Sequence, residues 1–231
     1  MKWQVKMGWH NALFLHWKIA PDVLRPLLPP TLELDLFDNH AWIGIVAFEM
    51  HDVRRRWMPR LPGMLSFPEV NVRTYCRYGG IEGIFFLSLD TPEFFTRTFG
   101  KRNFHLPYRK RRMDYEKRSD SSTLYRSYHH DGKLEFDVRY EPADANAAEL
   151  NVFTSSDFIQ WSSERYSLYS ENRDGTLMRG DVEHPPWPTS QVAFELATNH
   201  LLTSYMDAAA TPDAAHYSTG VDTFARGLVK T

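Results

Sequence analysis

Hydrophobic and polar residues alternate with a period of two along much of this chain, which is the period of a β-strand with one covered face. The clearest instance spans Leu124 to Tyr140. There Leu134, Phe136, Val138 and Tyr140 alternate with Glu135, Asp137 and Arg139, and Asp131-Gly132 supplies the turn of a hairpin. Residues 70–78 and 84–89 flank Gly79-Gly80-Ile81-Glu82-Gly83 and predict a second hairpin, and Tyr166–Tyr169 with Leu177–Val182 around Asp174-Gly175 predict a third. Trp42 to Met50 is an almost continuous apolar run, as in a strand covered on both faces.

Helix signals are short. Pro21 to Arg25 reads as a first turn opened by proline and stopped by Pro26 or by Pro29-Pro30. Pro92–Phe99 and Ser156–Glu164 are similar, the latter capped by Ser155 or Ser156. The longest is Ser190–Leu202, with Val192, Leu196 and Asn199 on one side and Ala193, Ala197 and Leu201 beside them. Many strands at short spacing with a few covering helices predict a mostly β (α+β) protein whose antiparallel sheet curls or closes. Pro59 to Pro68 and Pro185 to Pro188 read as loops, no repeat or low-complexity linker divides the chain, and residues 1–231 are read as a single domain.

One strand departs from ordinary alternation. Phe67 to Tyr75 places Glu69, Asn71 and Arg73 on one face between two aromatics, with Val70, Val72 and Thr74 on the other. A face that is aromatic at both ends and polar in the middle has the composition of a pocket lining; turned to water, the same row is a solvated face with a weak ion pair. Inside a pocket, Glu69 paired with Arg73 stays ionised and orients a substrate. Buried without a partner, Glu69 has a raised pKa and serves as general acid or base.

Composition narrows the setting. Of 231 residues, 42% are hydrophobic and 14% aromatic, which excludes a disordered chain, and a net charge of -2 gives no global attraction to nucleic acid or anionic membranes. The single Cys76 allows no intramolecular disulfide, and its parity with Val70, Val72 and Thr74 places it in the core. The start Met1-Lys2-Trp3-Gln4 lacks the apolar stretch of a signal peptide and no window has the length of a membrane span, so a soluble cytoplasmic protein is expected. His129-His130 falls at a hairpin turn rather than at the spacing of a metal pair, and neither a metal nor a cofactor is expected.

Two rival readings come from other features. Arg54-Arg55-Arg56 and the tract 101–118, with eight Lys or Arg residues and the aromatics Phe104, Tyr108 and Tyr115 between them, suit a nucleic-acid or phosphate partner; the bland reading is a charged edge. Trp187 in its proline-rich loop suits the interface anchor of a homo-oligomeric scaffold.

The chain also resembles a known family. Phe14-Leu15-His16-Trp17-Lys18, Pro21 to Asp35, Phe67 to Tyr75, Phe86 to Asp90, Leu106-Pro107-Tyr108, Glu164-Arg165-Tyr166, His184 to Pro188 and His216-Tyr217-Ser218 together resemble the YqjF-like family of uncharacterised bacterial proteins, within the acetoacetate decarboxylase-like superfamily. The resemblance implies a cone- or barrel-like antiparallel sheet around a cavity for a small organic or keto acid, and lyase or proton-transfer chemistry. It places Lys18 where a substrate-binding arginine would sit and Glu69 at a pocket glutamate. The lysine pair that forms and tunes a Schiff base in the decarboxylases falls near Leu106 to Lys110, where this chain has Tyr108 and Arg109; Lys110 substitutes only with a shift of register. That departure argues against Schiff-base decarboxylation. The expected site is therefore Glu69 and Arg73 for catalysis, with Lys18, Asn71, Tyr108, Lys110, Glu164 and Tyr166 as ligand-binding neighbours.

Overall fold

The computed structural model describes residues 2–57, 66–143, 152, 154–207 and 210–231. Most of the Pro59 to Pro68 loop lies outside them. In chain order the elements are β1 (Val5–Ile19), α1 (Pro21–Leu24), β2 (Glu33–Leu34), β3 (Ala41–Arg55), β4 (Phe67–Tyr78), β5 (Ile81–Thr91), α2 (Phe94–Phe104), β6 (Tyr108–Lys110), β7 (Arg112–Lys117), β8 (Thr123–Tyr128), β9 (Leu134–Ala143), α3 (Ser156–Ser163), β10 (Ser167–Glu171), β11 (Leu177–Glu183), β12 (Thr189–Asn199), β13 (Ala214–Ala225) and β14 (Val229–Lys230). The three expected hairpins form as β4–β5, β8–β9 and β10–β11, with Gly79, Gly80, Gly132 and Gly175 all at positive φ in their turns. Ser155 caps α3 through the amide of Phe158.

The strands run in the order β14-β11-β10-β5-β4-β3-β1-β13-β12-β9-β8-β7. Two further pairs, Val182 with Ala225 and Glu183 with Phe224, join β11 back to β13. That contact closes β11, β10, β5, β4, β3, β1 and β13 into an irregular ring of seven strands. Pairing around the ring is antiparallel except between β10 and β5. Of the remaining strands, β12, β9, β8 and β7 form a second limb, and β14, β2 and β6 pair with β11, β4 and β5.

The main core lies between this limb and the outer face of the ring. Leu13, Leu15 and Trp17 of β1, Ile43, Ile45 and Ala47 of β3, and Val70 and Val72 of β4 pack there against Tyr125, Phe136, Val138, Tyr140 and Val192. The alternate residues of the same strands point into the ring. In β1 the inward parity changes along the strand: Val5, Met7 and Trp9 line the interior, and after a register shift between His10 and Leu13 it is Ala12 and Phe14 that pack inside. Asn11, at φ 50°, takes up the extra residue of this bulge. It is held by the hydroxyls of Tyr140 and Tyr217, which donate to its carbonyl and side-chain oxygens at 2.9 Å.

One expected helix is a strand. Thr189–Asn199 forms β12, paired with β9 from Gln191 to Asn199 and with β13 at Thr189 and Ser190. Gln, Ala, Glu and Leu favour helix intrinsically, but Val192 and Phe194 bury on one face while Glu195 and Ala197 stay exposed. Burial against the β9 side outweighs a preference worth only tenths of a kcal/mol per residue.

Candidate functional site

Both faces of β4 are buried, and the polar row faces the interior of the ring. Val70 and Val72 enter the core; Phe67, Glu69, Asn71 and Arg73 line a cavity of about 630 Å³ inside the ring. Every ring strand contributes to the wall, and α2, which follows β5 directly, closes over it with Phe95, Phe99 and Phe104. The lining is mostly apolar. Its polar residues come from β4, from Tyr108, from Ser163 and Arg165 at and just after the end of α3, from Ser167 and His184, and, on β3 and around α2, from Arg54, Arg55, Glu93, Thr96, Thr98, Arg102 and Asn103.

Glu69 is 2% exposed, and its Oε2 accepts the hydroxyl of Tyr108 at 3.0 Å. Burial lifts its carboxyl to about 8, with Asp90 adding to the rise, while the Tyr108 hydrogen bond and the Arg73 charge pull the other way without reversing it. Glu69 is therefore protonated at neutral pH. Burial and the neighbouring Glu69 also push the Tyr108 phenol well above its ordinary value. Tyr108 reaches Glu69 because Gly100 on α2 leaves room: a Cβ there would lie 2.3 Å from the tyrosine ring.

Arg73 makes no ion pair with Glu69. Its Nε donates to Asn71 Oδ1 at 2.8 Å, its guanidinium lies 5.6 Å from the centre of the Phe86 ring, and among the described residues no carboxylate comes within ion-pair distance. A cation desolvated in this way attracts an anion in the cavity more strongly than a solvated one. Arg165, 4% exposed, stands close by. Its Nη1 donates to Asp35 Oδ2 at 2.6 Å, its Nε donates to the carbonyl of Trp161, and its Nη2 is buried with no partner among the described residues. Arg73 and Arg165 both act on Tyr75 electrostatically, so the two guanidinium groups share one neighbourhood.

Behind this wall is a buried polar layer that the sequence reading passed over. His16 Nε2 and the Tyr75 hydroxyl are 2.6 Å apart, Ser163 Oγ and His216 Nε2 are 3.0 Å apart, and the two imidazoles stack with centroids 5.7 Å apart. Burial, then the Arg73 charge, lowers His216 to about 3; His16 is lowered by burial, then by His216 and Arg73. Both are neutral at pH 7. The available signal was His16 itself, an interruption in the apolar run from Ala12 to Trp17.

Other expected site residues lie elsewhere. Lys18 shares the parity of Ala12 and Phe14 but lies next to the end of β1, where it is exposed with its amine over the Trp42 ring and does not line the cavity. Lys110 is exposed at the end of β6 and does not line the cavity. Glu164 and Tyr166 are bonded to each other at the rim: Glu164 also accepts the Trp187 amide at 3.0 Å, and Tyr166 stacks on His184. They position two cavity-lining residues rather than the ligand itself. Trp187, the expected interface anchor, lines the cavity and stacks on Trp9 at 5.9 Å. Cys76 is fully buried, and burial raises its thiol far above the reactive range.

Three of the eight basic residues in the tract 101–118 are tied to acids. Arg109 grips Asp90 at 2.6 and 2.8 Å, Arg111 reaches Glu135 at 2.7 Å, and Lys117 reaches Glu49 at 3.2 Å. Phe104 and Tyr108 are buried and cannot stack on bases. Two of the three aromatics of that tract are thus withdrawn from its surface, while Lys101, Arg102, Lys110, Arg112 and Arg118 stay exposed. Among the described residues no helix is long and apolar enough to cross a membrane.

Comparison with known proteins agrees with the architecture. Residues 6–222 match the DUF2071 family, described as an uncharacterized conserved protein. The chain is 35% identical over 198 residues to the uncharacterized protein YqjF of Bacillus subtilis (strain 168), covering 85% of this chain and 79% of that one. Among solved structures it is similar to acetoacetate decarboxylase from Legionella pneumophila (TM-score 0.64, 14% identity, 97% of this chain and 87% of the other). It is also similar to the enduracididine biosynthesis enzyme MppR complexed with pyruvate (TM-score 0.61, 12% identity, 99% and 89%). An acetoacetate decarboxylase-like enzyme from Sphingomonas wittichii RW1 gives a TM-score of 0.62 at 14% identity, covering 100% and 94%. At these identities the structural likeness establishes the fold alone.

Proposed function

Because the chain belongs to the DUF2071 family and has the acetoacetate decarboxylase-like fold, we propose that its cavity binds an organic acid, with Arg73 receiving the carboxylate and protonated Glu69 facing the group beside it. The carrying observation is the Arg73 guanidinium, which lines a largely apolar cavity with no carboxylate partner among the described residues. A ligand carboxylate supplies the missing charge, and its oxygens match the fork of a guanidinium. Pyruvate in the similar MppR structure is an acid of this class bound to a protein of the same fold.

Any chemistry here is proton transfer. Glu69 holds a proton at neutral pH and can deliver it to a bound oxygen or carbon, and the carboxylate left behind, still bonded to Tyr108, can take one back. No lysine is among the described residues lining the cavity, so no amine stands ready to form an iminium. Trp9 and Trp187 line the cavity and provide the assay. Titration with a carboxylic acid should change tryptophan emission, its primary amide should bind more weakly, and Arg73→Met should reduce carboxylate affinity at least tenfold while leaving the amide unchanged. Equal affinities for acid and amide would refute the proposal.

A further inference from the structure

The cavity is larger and more apolar than a three- or four-carbon acid such as pyruvate requires. At roughly 30 Å³ per water-sized group, about 630 Å³ holds on the order of twenty such groups. A four-carbon keto acid has about seven non-hydrogen atoms and would leave most of that space unfilled or occupied by water held against apolar walls.

Part of the polar lining is also gathered in one cluster, with Glu69 bonded to Tyr108, Asn71 bonded to Arg73, and Arg73 and Arg165 both beside Tyr75. Arg54, Arg55, Glu93 and Arg102 line the cavity apart from that cluster, on β3 and around α2. Most of the remaining wall is aromatic and aliphatic, with Phe48 and Met50 on β3, Phe86 on β5, Phe99 on α2 and Trp187 in its loop. Water confined against such a wall is readily displaced by apolar groups, whereas the cluster accepts one anionic head.

Resting on the proposed carboxylate site, we infer that the ligand is amphipathic: a monocarboxylic acid carrying an apolar body of about ten or more carbons, aliphatic or aromatic, with its head at Arg73 and its body along β3, β5 and α2. Each methylene moved from water into the cavity should strengthen binding about threefold to fourfold. The gain stops when the cavity is full.

The test is isothermal titration calorimetry of the full chain with butanoate, hexanoate, octanoate, decanoate and dodecanoate, each below its aggregation concentration, for wild type and Arg73→Met. The expected result is one site per chain, affinity rising about threefold to fourfold per methylene through the series to dodecanoate, and a uniform loss of at least tenfold in Arg73→Met with the slope retained. Butanoate or acetoacetate binding as tightly as decanoate would overturn the amphipathic ligand while leaving the carboxylate site standing. Several molecules bound per chain would also overturn it, since that marks surface adsorption. Failure of every acid to bind would instead remove the carboxylate site itself.

Discussion

Replacing Glu69 by glutamine should stabilise the protein, and should do so more strongly as the pH rises. Glutamine keeps the shape of the side chain and an oxygen to accept the Tyr108 hydroxyl, but has no proton to lose. In the wild type the carboxyl titrates at about 8 in the folded state against an ordinary 4.5. Between those values the folded chain keeps a proton that the unfolded chain has released, so the Glu69 contribution to stability falls as pH rises through this window. At 1.36 kcal/mol per pH unit, the cost reaches about 3 kcal/mol at pH 7. Buried His16 and His216 tilt the profile the other way between their lowered values and 6.5, but they do so equally in both proteins. The assay is therefore urea unfolding of wild type and Glu69→Gln at several values from pH 4 to 8.5. The difference should be near zero at pH 4, should open above pH 5 and should reach about 3 kcal/mol at pH 7 in favour of the variant. Parallel profiles, or a variant less stable at pH 7 than at pH 4 relative to wild type, would show that Glu69 is ionised in the folded protein.

Three further outcomes follow from the same geometry. Gly100→Ala should cost about 1–3 kcal/mol by overpacking, since its methyl meets the Tyr108 ring, and displacing the phenol removes a hydrogen bond that lowers the Glu69 carboxyl, so the Glu69→Gln difference should persist to higher pH; unfolding of the single and double variants measures both. Arg165→Leu should cost about 3–5 kcal/mol in denaturant unfolding, because it leaves buried Asp35 with only the half-exposed Arg77 as a cation. His216→Gln should remove part of the acid lability: the neutral histidine loses about 2 kcal/mol of stability as pH falls from 7 to 5, because the unfolded chain takes a proton that the folded one refuses, so the unfolding profile of the variant should be flatter over that range.

The hairpins were legible because their signals are local. Glycine or Asp-Gly turns sit between runs of period two, and each pair closes on its neighbour. The 190–202 segment misled because its composition favours helix while its partners, β9 and β13, are distant in sequence. Ring closure was invisible for the same reason: it depends on two residue pairs joining Val182–Glu183 to Phe224–Ala225. At the site, Glu69, Asn71, Arg73 and Tyr108 stood out, the first three because a two-residue period puts them on one face whatever the fold. Arg165 and the two histidines did not, because they reach the site from separate parts of the chain and their burial follows from the closure. Lys18 was misplaced by analogy of position: it shares the parity of Ala12 and Phe14, but it lies near the end of β1, beyond the Val5 to Trp9 stretch that lines the cavity.

The most direct test of the account is the pH dependence of carboxylate affinity, measured by calorimetry with octanoate from pH 6 to 9.5 on wild type and Glu69→Gln. With Arg73 charged and Glu69 neutral, the wild-type affinity should hold level up to about pH 7.5 and then fall as Glu69 acquires a charge beside the bound anion, whereas Glu69→Gln should stay level throughout. Affinity that is flat through pH 9.5 in the wild type, or that falls identically in the variant, would contradict a neutral Glu69 next to an anion-binding Arg73.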